Sequence, residues 1–170
     1  MPADAPGLLE LALRTTIETF AHHNDPINFQ KYLDETHRLD VFLKEIADEN
    51  ARYLLGDRDG KPAAYARLRW GRAPDCIDDP AAMEIEKFYV DKPFHGQGVA
   101  AAMMQQCLDF ARERNHRTIF LGVWEHNYRA IAFYTKKWGF ERCGEHVFMV
   151  GDDPTIDWWM KLAASRPSRP

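Results

Sequence analysis

The stretch 83–113 constrains the fold more than any other part of this sequence. Residues 83–91 have the pattern of a long strand that ends before Lys92-Pro93, and residues 94–98 form a glycine loop. Across residues 99–113, apolar side chains recur at the spacing of a helix face that packs against a sheet. A strand, a glycine loop, such a helix and a further strand predict an α/β crossover, which should be right-handed.

The flanking patterns predict helices before this crossover and strands on both sides of it. Apolar residues at Leu9, Leu13, Ile17 and Phe20 indicate a first helix over 8–20. The other predicted elements are helices over about 28–36, over 39–47 and after Asn127, and strands over 52–55, 63–70, 118–123, 140–150 and 156–160. The set is typical of the α/β (α+β) class, in which helices cover a sheet.

The composition is that of one domain spanning residues 1–170. The chain is 45% hydrophobic and 12% aromatic, which is enough for a core at a length of 170 residues. We expect the tail 163–170 to be disordered. Lys plus Arg total 22 against 26 Asp plus Glu, a net charge of −4 that argues against nucleic acid as a partner. The absence of a long apolar run or a secretory pattern argues against a membrane and favours a cytoplasmic location.

The cysteines and histidines do not form a metal-binding or disulfide pattern. Cys76, Cys107 and Cys143 are odd in number and widely spaced, and no C-x-x-C is present. The seven histidines lack the spacing of a zinc site. The sequence therefore predicts no metal.

The glycine loop supports two interpretations. A loop that leads from a strand into a helix presents backbone N–H groups that favour a phosphate. Its spacing is neither the G-x-G-x-x-G of dinucleotide sites nor that of a nucleoside triphosphatase. On composition alone, a plain structural turn explains the two glycines as well as a phosphate cradle does.

Two blocks of sequence resemble the GNAT superfamily of N-acetyltransferases. The first is 90–100, VDKPFHGQGVA, which resembles the acetyl-CoA loop, with Gly98 and Ala100 on the pattern and His95 where Gln or Arg is usual. The second is 127–134, NYRAIAFY, followed by Gly139-Phe140. The resemblance covers about residues 83–160. It implies a mixed, mostly antiparallel central sheet flanked by helices, although the family's usual first strand has no counterpart before the first helix here.

A narrower resemblance points to an acceptor. Segment 121–125, LGVWE, and segment 146–153, HVFMVGDD, with Asp157 after them, are similar to the bacterial spermidine/spermine N-acetyltransferase branch. That branch follows its Gly-Asp-Asp with a Thr-Asp pair, whereas Ile156 precedes Asp157 here. The resemblance implies a polyamine as the leading acceptor.

The resemblance also assigns roles to residues. It implies acetyl-CoA as cosubstrate, bound within a core of about 83–140, with Tyr134 as the acid that protonates the departing thiolate. Glu84 or Glu86 would take a proton from the amine, directly or through water, and which of them does so stays open. The implied acetyl-CoA contacts are Phe88, Tyr89, Val90, His95, Gly96, Gln97, Gly98, Val99, Ala100, Ala101, Asn127, Tyr134 and Lys136.

Other functions stay open at this stage. The acceptor could instead be a protein N-terminus, an amino acid or an aminoglycoside-like amine. A CoA-binding regulatory module that has lost turnover is the rival from a different functional class. A homodimer is expected by analogy with the family.

Overall fold

The computed structural model describes residues 4–164. Its helices are α1 (Ala5–Phe20), α2 (Pro26–Thr36), α3 (Leu39–Ala47), α4 (Val99–Glu113) and α5 (Tyr128–Ala132), which continues as a π-helical turn, Phe133–Lys137. Its strands are β1 (Ala51–Arg58), β2 (Lys61–Trp70), β3 (Met83–Val90), β4 (Thr118–Trp124), β5 (Glu141–Val150) and β6 (Asp153–Ala163). The expected disordered tail is wrong at its first two residues, because Ala163 ends β6 and the backbone N–H of Ala164 donates to the carbonyl of Arg117 at 2.8 Å. Residues 165–170 lie outside the described residues.

The strands form one sheet in the order β1-β2-β3-β4-β6-β5. All neighbours are antiparallel except β3 and β4, which are parallel and are joined through α4. The predicted crossover and the mixed, mostly antiparallel sheet are therefore confirmed. Within the described residues, α1 is the first regular element, and no helix there combines the length and apolarity needed to cross a membrane.

The parallel pair β3–β4 is short, and this opens the middle of the sheet. Only two register pairs join the strands, Met83 with Ile119 and Glu84 with Phe120. Both strands then continue, β3 to Val90 and β4 to Trp124, without pairing to each other. The two strands therefore diverge, and backbone groups on the facing edges of both are left available for another partner.

A β-bulge interrupts β3 at Glu86. The register with β2 passes from Arg67–Lys87 to Leu68–Ile85, so Glu86 has no partner opposite it. The bulge breaks the two-residue alternation of an ideal strand. Ile85 and Phe88, three positions apart, consequently both pack in the core under α4.

Apolar clusters cover both faces of the sheet. Alternate residues of β2 face opposite ways, so Ala64, Ala66 and Leu68 pack with α4 while Tyr65 packs with α1 and α3. The prediction that Leu9, Leu13, Ile17 and Phe20 form the buried face of α1 is wrong, because the buried face is rotated about the helix axis. The buried face carries Leu8, Leu11, Ala12, Thr15 and Thr16, because α1 lies between the sheet and two other helices and has more than one packed side.

Candidate active site

A cavity of about 740 Å³ lies where β3 and β4 diverge. One half is lined by the loop before α4, the start of α4 and the helix α5 with its π-helical turn. The other half is lined by α1, α2, the middle of β3 and the ends of β4, β5 and β6. These are called the loop half and the aromatic half below.

Two glycines shape the loop half. Gly96 and Gly98 have φ angles of +75° and +83°, in the left-handed region that favours glycine, and a Cβ built on either would meet nothing within 4 Å. Both residues line the cavity, and Gly98 is the N-cap of α4. Backbone N–H groups at a helix start are thus exposed to open space, as binding of an anion requires.

His95 holds this loop in place with both ring nitrogens. Nε2 lies 2.8 Å from the carbonyl oxygen of Val90, and Nδ1 lies 3.1 Å from Nη1 of Arg129. Since a carbonyl only accepts and a guanidinium only donates, Nε2 carries the proton and Nδ1 accepts. The histidine therefore links the end of β3 to α5, and Arg129 brings a positive charge to the loop half.

Tyr134 lies in the π-helical turn and is 7% exposed. Its ring packs against Phe88, Phe133 and Phe140, and it lines the cavity. Burial raises the pKa of the phenol above its usual value, with a smaller contribution from Cys107. The hydroxyl is therefore protonated throughout the neutral range and can act as a proton donor.

Asn127 both caps α5 and lines the cavity. Its Oδ1 accepts from the backbone N–H of Ala130 at 3.2 Å, which caps α5, and the residue also lines the cavity. Asparagine is a preferred N-cap because its side-chain oxygen accepts from the free N–H groups of the first helical turn.

The other expected acetyl-CoA contacts divide between the cavity and its surroundings. Lining the cavity are Phe88, Tyr89, Val90, His95, Gly96, Gly98, Ala100, Ala101, Asn127 and Tyr134. Gln97 turns away and donates to the carbonyl of Pro93, and Val99 packs against the main core. Lys136 is exposed outside the cavity, whereas Lys137 lines it. The π-helical turn changes which lysine faces the cavity, and an α-helical pattern does not anticipate such a turn.

The two glutamates proposed as the base are both bound to arginines. Glu84 is 6% exposed, does not line the cavity and accepts from Nε of Arg69 at 3.0 Å. Burial raises the pKa of Glu84, and the Arg69 hydrogen bond opposes this shift. Glu86 does line the cavity, but it accepts from Arg67 and also pairs with Nη1 of Arg69 at 2.8 Å.

Aromatic side chains dominate the other half of the cavity. They are Phe20, Phe29, Tyr32, Tyr65, Tyr89, Trp124 and Phe148. The carboxylates there include Glu35, exposed at the mouth, and Asp157, which is largely buried. Asp152 and Asp153, the other acidic residues of the polyamine resemblance, lie at the β5–β6 turn outside the cavity, where Asp152 pairs with Lys31.

Comparison with known proteins agrees with this geometry. The model of the acetyltransferase (GNAT) family matches residues 14–140. An uncharacterised N-acetyltransferase from Lactobacillus delbrueckii subsp. lactis is 33% identical over 94% of this chain and 92% of its own. The PaiA N-acetyltransferase of Thermoplasma acidophilum, solved with coenzyme A, superposes with a TM-score of 0.74 at 16% identity, covering 95% and 94% of the two chains. A ribosomal-protein-alanine N-acetyltransferase from Brucella melitensis gives 0.65 at 22% identity, covering 96% of each.

Proposed function

This chain belongs to the GNAT family of acetyltransferases, and we propose that it transfers an acetyl group from acetyl-CoA directly to a primary amine of a small molecule. A polyamine such as spermidine or spermine is the leading acceptor. The observation that carries the proposal is the single cavity at the β3–β4 divergence, which joins a phosphate-type loop and Tyr134 to an aromatic half bearing carboxylates.

The loop half fits coenzyme A in charge and in space. The open positions at Gly96 and Gly98 leave room for a pyrophosphate against backbone N–H groups. Arg129 and Lys137 add positive charge for the remaining phosphate. The unpaired edge of β3 offers backbone groups to the amide-bearing arm, in the way that an extended peptide adds to a sheet edge. The PaiA N-acetyltransferase, which shares this fold, was solved with coenzyme A, and this supports acetyl-CoA as the cosubstrate.

Acetyl-CoA supplies an activated acyl group on a thioester. Tyr134, protonated at neutral pH, donates a proton to the sulfur as the carbon–sulfur bond breaks. Reaction is direct, because the amine and the thioester share one cavity and no acyl-enzyme is needed.

The aromatic half favours a cationic acceptor with more than one amine. Within residues 4–164, no side-chain hydrogen bond or ion pair involves the carboxyl of Asp157, inside the cavity, or that of Glu35, at its mouth. Tyr32, Trp124 and Phe148 offer ring faces that attract ammonium groups. A linear polyamine carries more than one ammonium group, as a cavity with two separate carboxylates favours.

A protein N-terminus is the second candidate acceptor. It is favoured by the similarity to the ribosomal-protein-alanine N-acetyltransferase from Brucella melitensis, whose fold matches over nearly the whole chain. An N-terminal amine also fits an aromatic half that opens to solvent at α2. The two acceptors differ in charge: a polyamine carries further ammonium groups besides the reacting amine, whereas a peptide can carry none.

The test is release of free CoA from acetyl-CoA with a panel of acceptors. The panel contains spermidine, spermine, single-amine analogues, amino acids, an aminoglycoside and peptides that begin with alanine. We expect the highest kcat/KM with the polyamines. If peptides react and polyamines do not, the polyamine proposal is wrong and a protein N-terminus is the acceptor. If acetyl-CoA binds and no amine is acetylated, the chain is a CoA-binding regulatory module.

A homodimer and a cytoplasmic location complete the proposal. The edge strand β5 exposes Val147 and Met149 by 57% and 49%, an apolar edge suited to a second copy. Light scattering during size-exclusion chromatography should give twice the 19.7 kDa of one chain. A mass of one chain at micromolar concentration would contradict the dimer.

A further inference from the structure

We infer that Asp157 is the residue that takes the proton from the acceptor amine, an inference that rests on the proposed function. Asp157 lies on β6, opposite Trp124 of β4 and His146 of β5 in the sheet register. Its carboxyl points towards Gly122, where Oδ2 would be 3.7 Å from a Cβ built on that glycine. Both Gly122 and Asp157 line the cavity. A Cβ at Gly122 would also lie 3.3 Å from ring atoms of His146 and Trp159, so the glycine lets these rings and the carboxyl pack closely beside β4.

The carboxyl of Asp157 is free to receive an ammonium group. Within the described residues it has no hydrogen bond and no ion pair, although it is largely buried. Glu84 and Glu86 differ in this respect, since guanidinium groups already occupy their oxygens. A proton placed on either glutamate would disrupt a buried ion pair, whereas a proton placed on Asp157 disrupts none.

The titratable side chains around Asp157 are neutral near pH 7, whereas its own carboxyl is ionised and can accept a proton. Burial raises its pKa to about 6. The titratable side chains around it are Tyr32 of α2 and Tyr89 of β3, whose pKa values burial raises, and His146 of β5, whose pKa burial lowers. All three are neutral near pH 7.

The cation of β3 in this half is already neutralised. Lys87 donates to both oxygens of Glu45 at 2.7 Å. Asp157 therefore faces the cavity as an ionised carboxylate without a cation, which is the environment that an ammonium group would fill.

The proton balance assigns each group one step. The ammonium gives one proton to Asp157, and the neutral nitrogen then forms its bond to the acyl carbon as the carbon–sulfur bond breaks. The sulfur takes its proton from Tyr134. The nitrogen loses a second proton, which restores the phenol through solvent, and Asp157 releases its own proton to solvent. The sum is one amide, one thiol and one released proton.

The test combines kinetics with a direct titration of the carboxyl. The kcat/KM of spermidine, or of the panel amine that reacts best, is measured against pH at saturating acetyl-CoA. The proteins are wild type, Asp157→Asn, Asp157→Glu, Glu86→Gln and Asp153→Asn, the last as a matched control on the same strand outside the cavity. Carbon NMR of protein labelled at aspartate carboxyls follows the ionisation independently of activity.

We expect Asp157→Asn to lower kcat/KM by about 10²–10⁴-fold and to lose the acidic limb of the profile near pH 6, with acetyl-CoA affinity unchanged. Asp157→Glu should restore part of the rate and the limb, and Asp153→Asn should behave as wild type. One aspartate resonance should titrate near pH 6, should be missing from Asp157→Asn and should shift to lower pH when spermidine is added.

Two results would overturn the inference and leave the proposed function standing. In the first, the wild type is active and Asp157→Asn turns over at a near-normal rate. In the second, Glu86→Gln loses the acidic limb of the pH profile and Asp157→Asn keeps it. Lack of turnover by the wild type with every amine of the panel would overturn the proposed function, and the inference with it.

Discussion

At the scale of single residues, the site depends on two acidic side chains whose pKa values are both raised by burial above their usual values. Burial raises the pKa of Tyr134 and also that of Asp157, since both environments disfavour a charge. The phenol thereby stays a donor at neutral pH, while the carboxyl stays ionised above about pH 6 with a stronger affinity for protons than an exposed aspartate has. Two different roles follow from one physical effect.

Tyr134→Phe tests the donor role. The substitution removes one hydroxyl and keeps the ring packed against Phe88 and Phe140, so stability should change little. We expect kcat to fall by about 10²–10⁴-fold with little change in the KM of acetyl-CoA, because the hydroxyl acts mainly as the thiolate departs. Steady-state kinetics and melting temperature on one preparation measure both effects.

Tyr128→Phe is the matched control for that substitution. Tyr128 lies in α5, which leads into the π-helical turn that carries Tyr134, and it is 70% exposed and does not line the cavity. Tyr128→Phe removes a hydroxyl outside the cavity and should therefore leave kcat unchanged. A near-normal kcat in Tyr134→Phe would take the phenol out of the mechanism and leave solvent as the donor.

Asp157→Asn should raise stability at alkaline pH. The folded-state pKa of about 6 lies above the ordinary 3.8, so the folded protein binds the proton more tightly than the unfolded chain does. The stability of the wild type therefore decreases as pH rises through this window, and the ionised carboxyl is a cost above it. Asparagine removes that cost, so the melting temperature of the variant should exceed that of the wild type at pH 8, and the gap should narrow towards pH 4. An equal gap at both pH values would show that Asp157 titrates normally.

At the scale of elements, the segment from β3 to α4 is the unit that binds phosphate in this proposal. β3 ends at Val90, His95 ties the loop back to that end, and Gly98 starts α4 with a left-handed backbone. The loop geometry is thus set by contacts on both sides of it, and the open space lies over its glycines.

Gly98→Val should abolish binding of acetyl-CoA while the protein stays folded. A β-branched side chain would fill the open space over the loop and strain a φ of +83°. Gly71→Val is the matched control, because Gly71 has a φ of +91° and equally open surroundings but lies outside the cavity. Calorimetric titration should detect binding only in the control and the wild type, whereas unchanged affinity in Gly98→Val would place the phosphates elsewhere.

At the scale of the whole molecule, the cavity exists because helices cover both faces of a sheet that opens in its middle. α4 and α5 close one side, and α1 and α2 close the other. A ligand that spans the cavity would contact elements distant in sequence, and its binding should stabilise the whole fold.

Acetyl-CoA should therefore raise the melting temperature. At 100 times its dissociation constant, a ligand adds about 2.7 kcal/mol to the free energy of unfolding. For a chain of this size each kcal/mol corresponds to roughly 2–4 °C, so a shift of about 5–10 °C is expected in a thermal melt. Gly98→Val should show no shift. A wild-type melt that does not move at millimolar acetyl-CoA would contradict the cosubstrate assignment.

Local sequence accounts for most of the elements and for the loop half of the site. The limits of α4 agree with the apolar spacing, and the caps at Asn127 and Gly98 follow from residue types with strong local preferences. Asp59 and Gly60 form the Asp-Gly turn between β1 and β2 and have φ angles of +55° and +74°, which is the geometry that this residue pair favours in a two-residue hairpin. These features depend on interactions between neighbours in the chain, which a sequence displays directly.

The aromatic half could not be derived in the same way. The divergence of β3 from β4, the bulge at Glu86 and the π-helical turn that selects Lys137 all depend on how elements pack together. The unpaired state of the Asp157 carboxyl depends on distant segments: it packs beside Gly122, 35 positions earlier, and no arginine of the described residues pairs with it, whereas Glu86 is neutralised by residues of β2. A periodic pattern indicates which face a residue occupies and carries no information about which charges meet there. The sequence therefore determined the elements, the family and the loop that suits a phosphate, whereas the tertiary structure alone decided which carboxylate is free, because burial and pairing arise only when distant segments come together.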